Sequence, residues 1–177
     1  MIEPLFRRLL GDDLDRLPPA LRRAHDARDR QVWAGTAQVV ASRNPLARAL
    51  CRMMGLPRAG RDVPVTVVFE RAGEAEIWRR NFAGRRYHSR FLVRDGLIVE
   101  QMGPATNRFR AHVEDGELHL ELVGFRFFGV PFPAWLSPRC PAVESEVAGC
   151  YRFDVPIVLP FMGLAIRYTG VMEACDG

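Results

Sequence analysis

The stretch that decides the fold runs from Glu74 to Phe128 and reads EAEIWRRNFAGRRYHSRFLVRDGLIVEQMGPATNRFRAHVEDGELHLELVGFRFF. Short runs of alternating apolar and polar residues are separated by turns at Ala83-Gly84, Asp95-Gly96 and Asp115-Gly116. Two-residue turns that end in glycine, flanked by such alternation, are typical of antiparallel strands joined by tight hairpins. The stretch therefore predicts an antiparallel meander.

The tight turns also predict which side chains share a face, because residues opposite each other across a hairpin point the same way. Val93 then faces Ile98, and Trp78 faces Ser89. Extended along the meander, this register separates an apolar face from a basic one. The apolar face carries Trp78, Phe82, Tyr87, Phe91, Val93, Ile98, Met102, Phe109, Val113, Leu118, Leu120 and Leu122. The other face carries Arg79, His88, Arg90, Arg108, Arg110, His112, His119 and Glu121.

Length and composition bound the class of protein. At 177 residues, with 48% hydrophobic and 10% aromatic residues, the chain is long enough for one well-filled domain and short for two. We therefore predict a single domain over residues 1–177. No apolar run approaches the roughly 20 residues that span a bilayer. The N-terminus also lacks an apolar signal core followed by a small-residue cleavage site. These features predict a cytoplasmic protein without a membrane span.

The basic residues are all arginines: the chain has 25 of them and no lysine. The absence of lysine excludes Schiff-base catalysis, a P-loop lysine and a lysine general base. The arginines are spread over the length among 21 acidic residues, and no nucleic-acid motif is present, so we do not predict nucleic-acid binding. The four cysteines show neither Cys-x-x-Cys nor zinc-finger spacing, which argues against a metal site and a disulfide framework. No cofactor is predicted.

The segments outside the meander contain three predicted helices. Residues 1–28 predict two short helices, and residues 45–55 predict a third, which begins at Asn44-Pro45 after the first strand. The first helix has an apolar stripe at helical spacing, formed by Ile2, Leu5, Phe6, Leu9 and Leu10. The methionine-rich face of the third helix would suit a lid over a ligand cavity or an ordinary core.

Strands are predicted at 31–42, 63–70, 142–154 and 164–173 besides those of the meander, which makes about nine. Gly35 in the first strand allows bending or a close backbone approach. A long antiparallel sheet with one aromatic face usually closes, because closure removes its exposed edges. We predict a mainly β (α+β) fold, an antiparallel calycin-like β-barrel or strongly curved sheet over residues 31–173, with the final strand beside the first. A helix-grip fold is the alternative, but this chain ends in a strand.

Several motifs carry a resemblance to a known family. They are Trp78 through Gly84, Ser89, Glu100 through Pro104, Pro131-Phe132-Pro133, Leu136-Ser137-Pro138, Phe153-Asp154-Val155, and Gly163 with Tyr168-Thr169-Gly170. With them, the chain from Leu17 to Met172 resembles the bacterial domain-of-unknown-function family numbered 4166. The family's Trp-x-Arg-x-Phe core is matched by Trp78, Arg80 and Phe82.

The resemblance implies a self-contained cytoplasmic domain that occurs alone or attached to NAD-binding dehydrogenase- or epimerase-like domains. It implies no catalytic residues. The chain has no Gly-x-Gly-x-x-Gly, so NAD chemistry would belong to a partner.

Polar residues on the apolar face mark the candidate site. The residues that fall on the same alternation phase as neighbouring core residues are Arg80, Glu100, Arg126, Glu144, Glu146 and Tyr168. A charge placed there must be paired or solvated, because isolated burial is costly. We hypothesise that Arg80, with Arg126, meets Glu100 and Glu144 inside the barrel and holds the polar end of a largely apolar ligand, for instance a carboxylate. A structural ion-pair network, or charges that reach water at strand ends, is the competing interpretation.

The histidines give weaker evidence for a functional site. His112 and His119 face each other across the Asp115-Gly116 hairpin, but on the outer face and without a third ligand, so a solvated pair is expected rather than zinc. In this register all four histidines fall outside the apolar face, and no Gly-x-Ser-x-Gly elbow is present, so a hydrolase triad is not predicted. His25 is interpreted as a polar residue near a helix end.

Three functions stay open. The first is a binding module for a small apolar or amphipathic molecule, with a site formed by Trp78, Arg80, Phe82, Ser89, Phe91, Glu100, Met102, Arg126, Glu144 and Tyr168. The second is a barrel enzyme, an isomerase or cyclase, that uses Glu100 or Glu144 for proton transfer. The third is a filled barrel whose arginine-rich outer face docks an NAD-binding dehydrogenase-like partner.

Overall fold

The described part of the chain contains three α-helices and one 3-10 helix. A computed structural model describes residues 3–27 and 30–175, so Ile2 of the predicted stripe and residue 28 lie outside the description. Helix α1 (Leu5–Leu10) continues into a 3-10 helix (Gly11–Arg16), and helix α2 (Pro19–His25) follows. Helix α3 (Pro45–Met53) begins where predicted, because the Asn44 side chain accepts two backbone hydrogen bonds from its first turn.

Eleven strands follow the N-terminal helices within residues 30–175. They are β1 (Gln31–Ala41), β2 (Gly60–Ala72), β3 (Ala75–Phe82), β4 (Arg85–Arg94), β5 (Leu97–Met102), β6 (Ala105–Glu114), β7 (Glu117–Phe127), β8 (Val130–Pro131), β9 (Pro141–Val147), β10 (Cys150–Leu159) and β11 (Gly163–Cys175). Within the meander the predicted register is confirmed, since Val93 pairs with Ile98 and Trp78 pairs with Ser89.

The sheet closes into an antiparallel barrel, as predicted. Its strand order is β6-β5-β4-β3-β2-β1-β11-β10-β9-β7-β8, and β6 also pairs with β7, so ten strands form a closed ring and β8 is an extra strand outside it. The final strand β11 lies beside β1. Closure leaves no exposed edge in the ring, which is the physical reason the sequence favoured it.

The predicted count of about nine strands was too low. The segment 142–154, predicted as one long strand, is divided by a turn at Ala148-Gly149 into β9 and β10, which pair with each other. Both turn residues have positive φ, as in a two-residue hairpin turn of type I′. The pair Ala-Gly was recognised as a turn at Ala83-Gly84 but not here.

Gly35 makes the closing seam possible. A side-chain carbon at this position would overlap the Val171 carbonyl oxygen on β11. The two backbones therefore approach more closely than any other residue would permit, and the predicted role of Gly35 is confirmed.

A β-bulge in β7 changes which residues face the interior. Arg108 pairs with Gly124 but Phe109 pairs with Leu122, so Val123 is an extra residue that has no partner. The bulge moves the inward phase by one residue, and beyond Leu122 the inward side chains are Phe125 and Phe127. Arg126, predicted to lie inside the barrel, is therefore exposed on the outside.

The N-terminal helices close one end of the barrel. Leu5 and Phe6 of α1 and Leu21 of α2 are fully buried, so the stripe of the first helix packs in the core. Two carboxylates from the barrel bind the helix N-termini: Glu76 accepts from the backbone N–H of Leu5, and Glu146 accepts from that of Ala20. We call this the plug end. The opposite end carries α3 and the loops 128–140 and 160–162, and we call it the mouth.

No helix within the described ranges is long and apolar enough to span a membrane.

Candidate functional site

The barrel interior holds one large cavity of about 620 Å³. Its floor includes Phe6 of the plug, and helix α3 covers part of the mouth with Leu46, Leu50, Met53 and Met54. The walls are almost wholly apolar and aromatic. A cavity of this size and character lies in the range that accommodates drug-sized organic molecules.

Most of the predicted site residues line this cavity. Eight of the ten do so: Trp78, Arg80, Phe82, Phe91, Glu100, Met102, Glu144 and Tyr168. Ser89 is completely buried behind the wall, where it pairs with Trp78 and its Oγ accepts a hydrogen bond from Arg80. Arg126 is outside because of the bulge in β7. The hypothesised second arginine beside Arg80 is therefore wrong.

Arg80 is the only arginine in the cavity wall among the described residues. Its side chain is 13% exposed, and its guanidinium carbon lies 5.1 Å from the centre of the Trp78 ring and 5.4 Å from that of Tyr87. Cation–π contacts of this kind offset part of the cost of taking the charge out of water. Nη1 donates to Ser89 Oγ at 2.9 Å, so the guanidinium is held by strand β4.

Glu100 is the counter-charge of Arg80, but the pair is loose. Arg80 Nη2 lies 4.0 Å from Glu100 Oε1, beyond hydrogen-bonding distance, while Asn107 donates to Glu100 Oε2 at 2.8 Å. Asn107 thus fixes the carboxylate, and Nη2 of Arg80, in the cavity wall, makes no hydrogen bond to Glu100. Asn107 was missed from the sequence, although it alternates in phase with the buried Ala105 and Phe109.

The titratable groups around Arg80 are shielded from water. Burial raises the pKa of Tyr168 well above its ordinary range, and it also raises the pKa of Tyr87. Burial, with a contribution from the Glu100 carboxylate, raises the pKa of the Cys140 thiol to about 12. The Tyr87 hydroxyl faces Tyr168, but it is buried without a hydrogen bond of normal geometry to any described residue. It is therefore a further polar group open to a bound molecule.

A second polar group on the wall pairs a carboxylate with a histidine. His25 Nε2 lies 2.6 Å from Glu144 Oε2, with the His25 side chain fully buried and that of Glu144 6% exposed. The imidazole packs against Phe6 and Trp78, and its Nδ1 has no hydrogen-bond partner in the described chain. Burial raises the pKa of Tyr151 well above its ordinary range, with a further contribution from its contact with Glu144.

The placement of His25 confirms one sequence interpretation and corrects another. His25 is a polar residue at the end of α2, as interpreted, but it is fully buried, so not all four histidines lie away from the interior. The signal was present, because His25 follows the inward-facing Leu21 by four residues and so lies on the same face of α2. Reasoning from the sheet register alone could not find it, since α2 is not part of the sheet.

The remaining histidines lie where predicted. His112 and His119 pair across their hairpin with stacked rings 5.0 Å apart on the outer face. Each lies near a glutamate, Glu114 at 3.8 Å and Glu117 at 3.6 Å. Over residues 3–27 and 30–175, no three histidine, cysteine or acidic side chains are grouped to hold a metal ion.

Fold and site together define a closed antiparallel β-barrel with a largely apolar internal cavity and a few fixed polar groups. The sequence matches the family described as Domain of unknown function (DUF4166) over residues 17–172. The chain belongs to this family, and the predicted resemblance is confirmed.

Comparisons with other proteins add little about function. No curated protein matches the chain. Among solved structures, the chain is similar to a secretary abundant heat soluble (SAHS) protein from Ramazzottius varieornatus, with 10% sequence identity and a TM-score of 0.42, covering 78% of this chain and 90% of that one. We draw nothing about function from a likeness of this degree.

Proposed function

We propose that the protein binds a small, largely apolar or amphipathic molecule inside the barrel, with the polar end of the molecule at Arg80. The observation that supports this most strongly is the cavity of about 620 Å³, which has apolar walls and one guanidinium. Burying apolar ligand surface against such walls supplies affinity, and a few placed polar groups supply orientation.

The arrangement around Arg80 favours an acceptor group on the ligand. Nη2 is not satisfied by Glu100 at 4.0 Å, and the nearby Tyr87 hydroxyl is also without a hydrogen bond of normal geometry. A carboxylate or carbonyl oxygen placed between them would accept from both. Because Glu100 is already held by Asn107, the ligand need not displace it.

Native mass spectrometry of the freshly purified protein, followed by organic extraction, tests the proposal. We expect a stoichiometric extra mass that is lost on denaturation. Anilinonaphthalene sulfonate, an aromatic anion, should bind the emptied protein and be displaced by the extract. Arg80→Met keeps an apolar stem and should weaken binding of this probe about tenfold, the scale of one charge-assisted hydrogen bond.

Arg79→Met is the matched control, because Arg79 is the neighbouring residue on the outer face and pairs there with Glu70 at 2.8 Å. It should leave probe binding unchanged. A clean apo mass together with no probe binding would overturn the proposal. That result would favour the alternative prediction, a barrel that docks a dehydrogenase-like partner.

The second candidate is an enzyme that transfers a proton to or from the bound molecule through Glu144. The observation that favours it is the bond of 2.6 Å between Glu144 and the buried His25, beside the cavity. A carboxylate backed by an imidazole can exchange a proton with a substrate carbon while the histidine stabilises one protonation state. The competing role of this pair is to anchor α2 to β9. Glu100 is the other interior carboxylate for the same role.

Deuterium incorporation separates these roles without knowledge of the substrate. The extracted molecule is incubated with the protein in D₂O and its mass is followed. Proton transfer predicts exchange at carbon that Glu144→Gln abolishes while the molecule still binds. An anchoring role predicts no exchange with the wild-type protein. If exchange does occur, comparison of Glu144→Gln with Glu100→Gln shows which carboxylate transfers the proton.

A further inference from the structure

Exposed apolar side chains gather at the mouth of the barrel. The most exposed large hydrophobic residues are Phe161 at 87%, Phe128 at 74% and Trp135 at 68%, and Leu46 and Met53 of α3 are also exposed. All five lie in α3 or in the loops of the mouth. At the plug end, by contrast, the helices bury their large apolar side chains. Clustered exposure of this kind marks an interaction surface.

The exposed patch continues into the cavity. Leu46, Met53 and Phe161 line the cavity while they are exposed, so the cavity reaches solvent between them. The chain neighbours of the other two, Phe127 and Leu136, also line it. A molecule that enters the mouth from an apolar environment would therefore find a continuous apolar path to the interior.

The same end of the barrel is basic. The segment 30–61, which includes α3, carries six arginines and no acidic residue. No acidic residue occurs in 77–94, 122–143 or 155–172, which supply the other parts of the mouth. The nearest acid in sequence is Asp62, which accepts a hydrogen bond from Gln38. At the plug end, the acidic residues Asp12, Asp13 and Asp15 lie in the N-terminal segment.

We propose that the mouth docks on an anionic lipid bilayer, with Trp135, Phe161 and Phe128 in the acyl boundary and the arginines at the headgroups. Amphipathic surfaces with aromatic residues among basic ones bind membrane interfaces in this way. Docking itself does not depend on a cavity ligand. The step that rests on the proposed function is the passage of an apolar molecule from the bilayer into the cavity.

Charge complementarity is the reason for choosing a bilayer over a second copy of the chain. Two mouths brought together would place arginine against arginine, which opposes association. A phosphatidylglycerol surface supplies the negative charge and the apolar layer together. A protein partner would need both an acidic rim and an apolar centre to match the same surface.

Vesicle flotation with the wild-type protein is the test. Vesicles of equal parts phosphatidylcholine and phosphatidylglycerol should carry the protein upward at low salt, and pure phosphatidylcholine vesicles should carry much less. Raising the salt should release it, because the headgroup attraction is screened. Of the three tryptophans, Trp33 and Trp78 are buried. A blue shift of the tryptophan fluorescence, and its quenching by brominated lipid, would therefore come from Trp135.

Two variants and one control locate the docking face. Trp135→Ser with Phe161→Ser should lower partitioning at least tenfold through lost apolar burial, and Arg48→Glu with Arg52→Glu should lower it by about the same factor. Arg90→Glu with Arg110→Glu makes the same change of net charge on the barrel wall, where both arginines are exposed, and should retain most of the binding.

Three results would overturn the inference. The first is no flotation with anionic vesicles. The second is an equal loss in the wall control, which would show a diffuse charge effect. The third is a concentration-dependent dimer that the Trp135→Ser, Phe161→Ser variant converts to a monomer, which would make the mouth an interface between two copies. Persistence of flotation in a protein whose cavity does not bind anilinonaphthalene sulfonate would leave docking intact and remove only the proposed ligand function.

Discussion

The two ends of the barrel use similar side chains in opposite ways. At the plug end, Leu5, Phe6 and Leu21 are buried, and the carboxylates of Glu76 and Glu146 bind backbone N–H groups of the helices. At the mouth, Trp135 and Phe161 are exposed among arginines. The difference indicates that the plug end contributes to the stability of the fold, and it is the basis of our proposal that the mouth contacts another molecule.

The largest expected effect is at the plug end. His25→Ala should lower the free energy of unfolding by about 3 kcal/mol, because it leaves the Glu144 carboxylate buried without its partner and empties space between Phe6 and Trp78. Denaturation in urea measures it. The control is His112→Ala on the exposed outer face, which should change stability by at most about 0.5 kcal/mol. Equal losses in both variants would show that His25 does not anchor the plug.

The helix cap at Glu76 should have the next largest effect. Its carboxylate accepts from the Leu5 N–H at 3.0 Å and from Trp78 Nε1 at 3.2 Å, and both contacts are buried. Glu76→Ala should lower the free energy of unfolding by about 2 kcal/mol, through the lost cap and an unsatisfied indole N–H. Glu74→Ala, at the exposed turn two residues earlier, is the control. A loss confined to Glu74→Ala would contradict the capping role.

The stability of the protein at alkaline pH tests whether the inner wall near the mouth is shielded from water as well as the plug end is. The pKa of Cys140 is raised to about 12 from 9.0, so the unfolded chain loses this proton first. The contribution of the thiol to stability is complete below pH 9 and declines as the pH rises towards 12, with about 1 kcal/mol lost by pH 10. Tyr151 and Tyr168 act in the same direction.

Urea denaturation of Cys140→Ala across this range should show a smaller decline than the wild type. Cys175→Ala, which changes an exposed thiol, should follow the wild type. A wild-type slope in Cys140→Ala would mean that water reaches this part of the wall.

The smallest effect on stability should come from the mouth. Trp135→Ser and Phe161→Ser remove side chains that are exposed, so each should change the free energy of unfolding by no more than about 0.5 kcal/mol. Leu21→Ser at the plug end is the contrasting variant and should be strongly destabilising, because it places a hydroxyl in the core. A large loss in the mouth variants would remove the distinction between the two ends.

Much of the candidate site could be predicted because it lies within one meander. Trp78, Arg80, Phe82, Phe91, Glu100 and Met102 were assigned to the interior from alternation and turn positions, and all six line the cavity. The prediction failed at Arg126, where the bulge in β7 depends on pairing with β6 and leaves no periodic signal. It also missed His25, whose position depends on how α2 docks.

The distribution of charge, like the site, could be predicted from the sequence only in part. Along the chain the arginines and acids look mixed, yet the segments that form the mouth contain almost no acids. These segments are separated by long stretches of sequence and meet only because alternate hairpins of the barrel end on the same side.

The sequence by itself determined the strands of the meander, their register and their apolar face, because these follow from interactions between residues close in the chain. The tertiary structure decided what those strands enclose. Ring closure, the bulge at Val123, the docking of His25 on Glu144 and the gathering of arginines at the mouth all depend on contacts between distant segments. Such contacts form only when the chain closes, so a local pattern can place His25 on the inward face of α2 but cannot identify its partner.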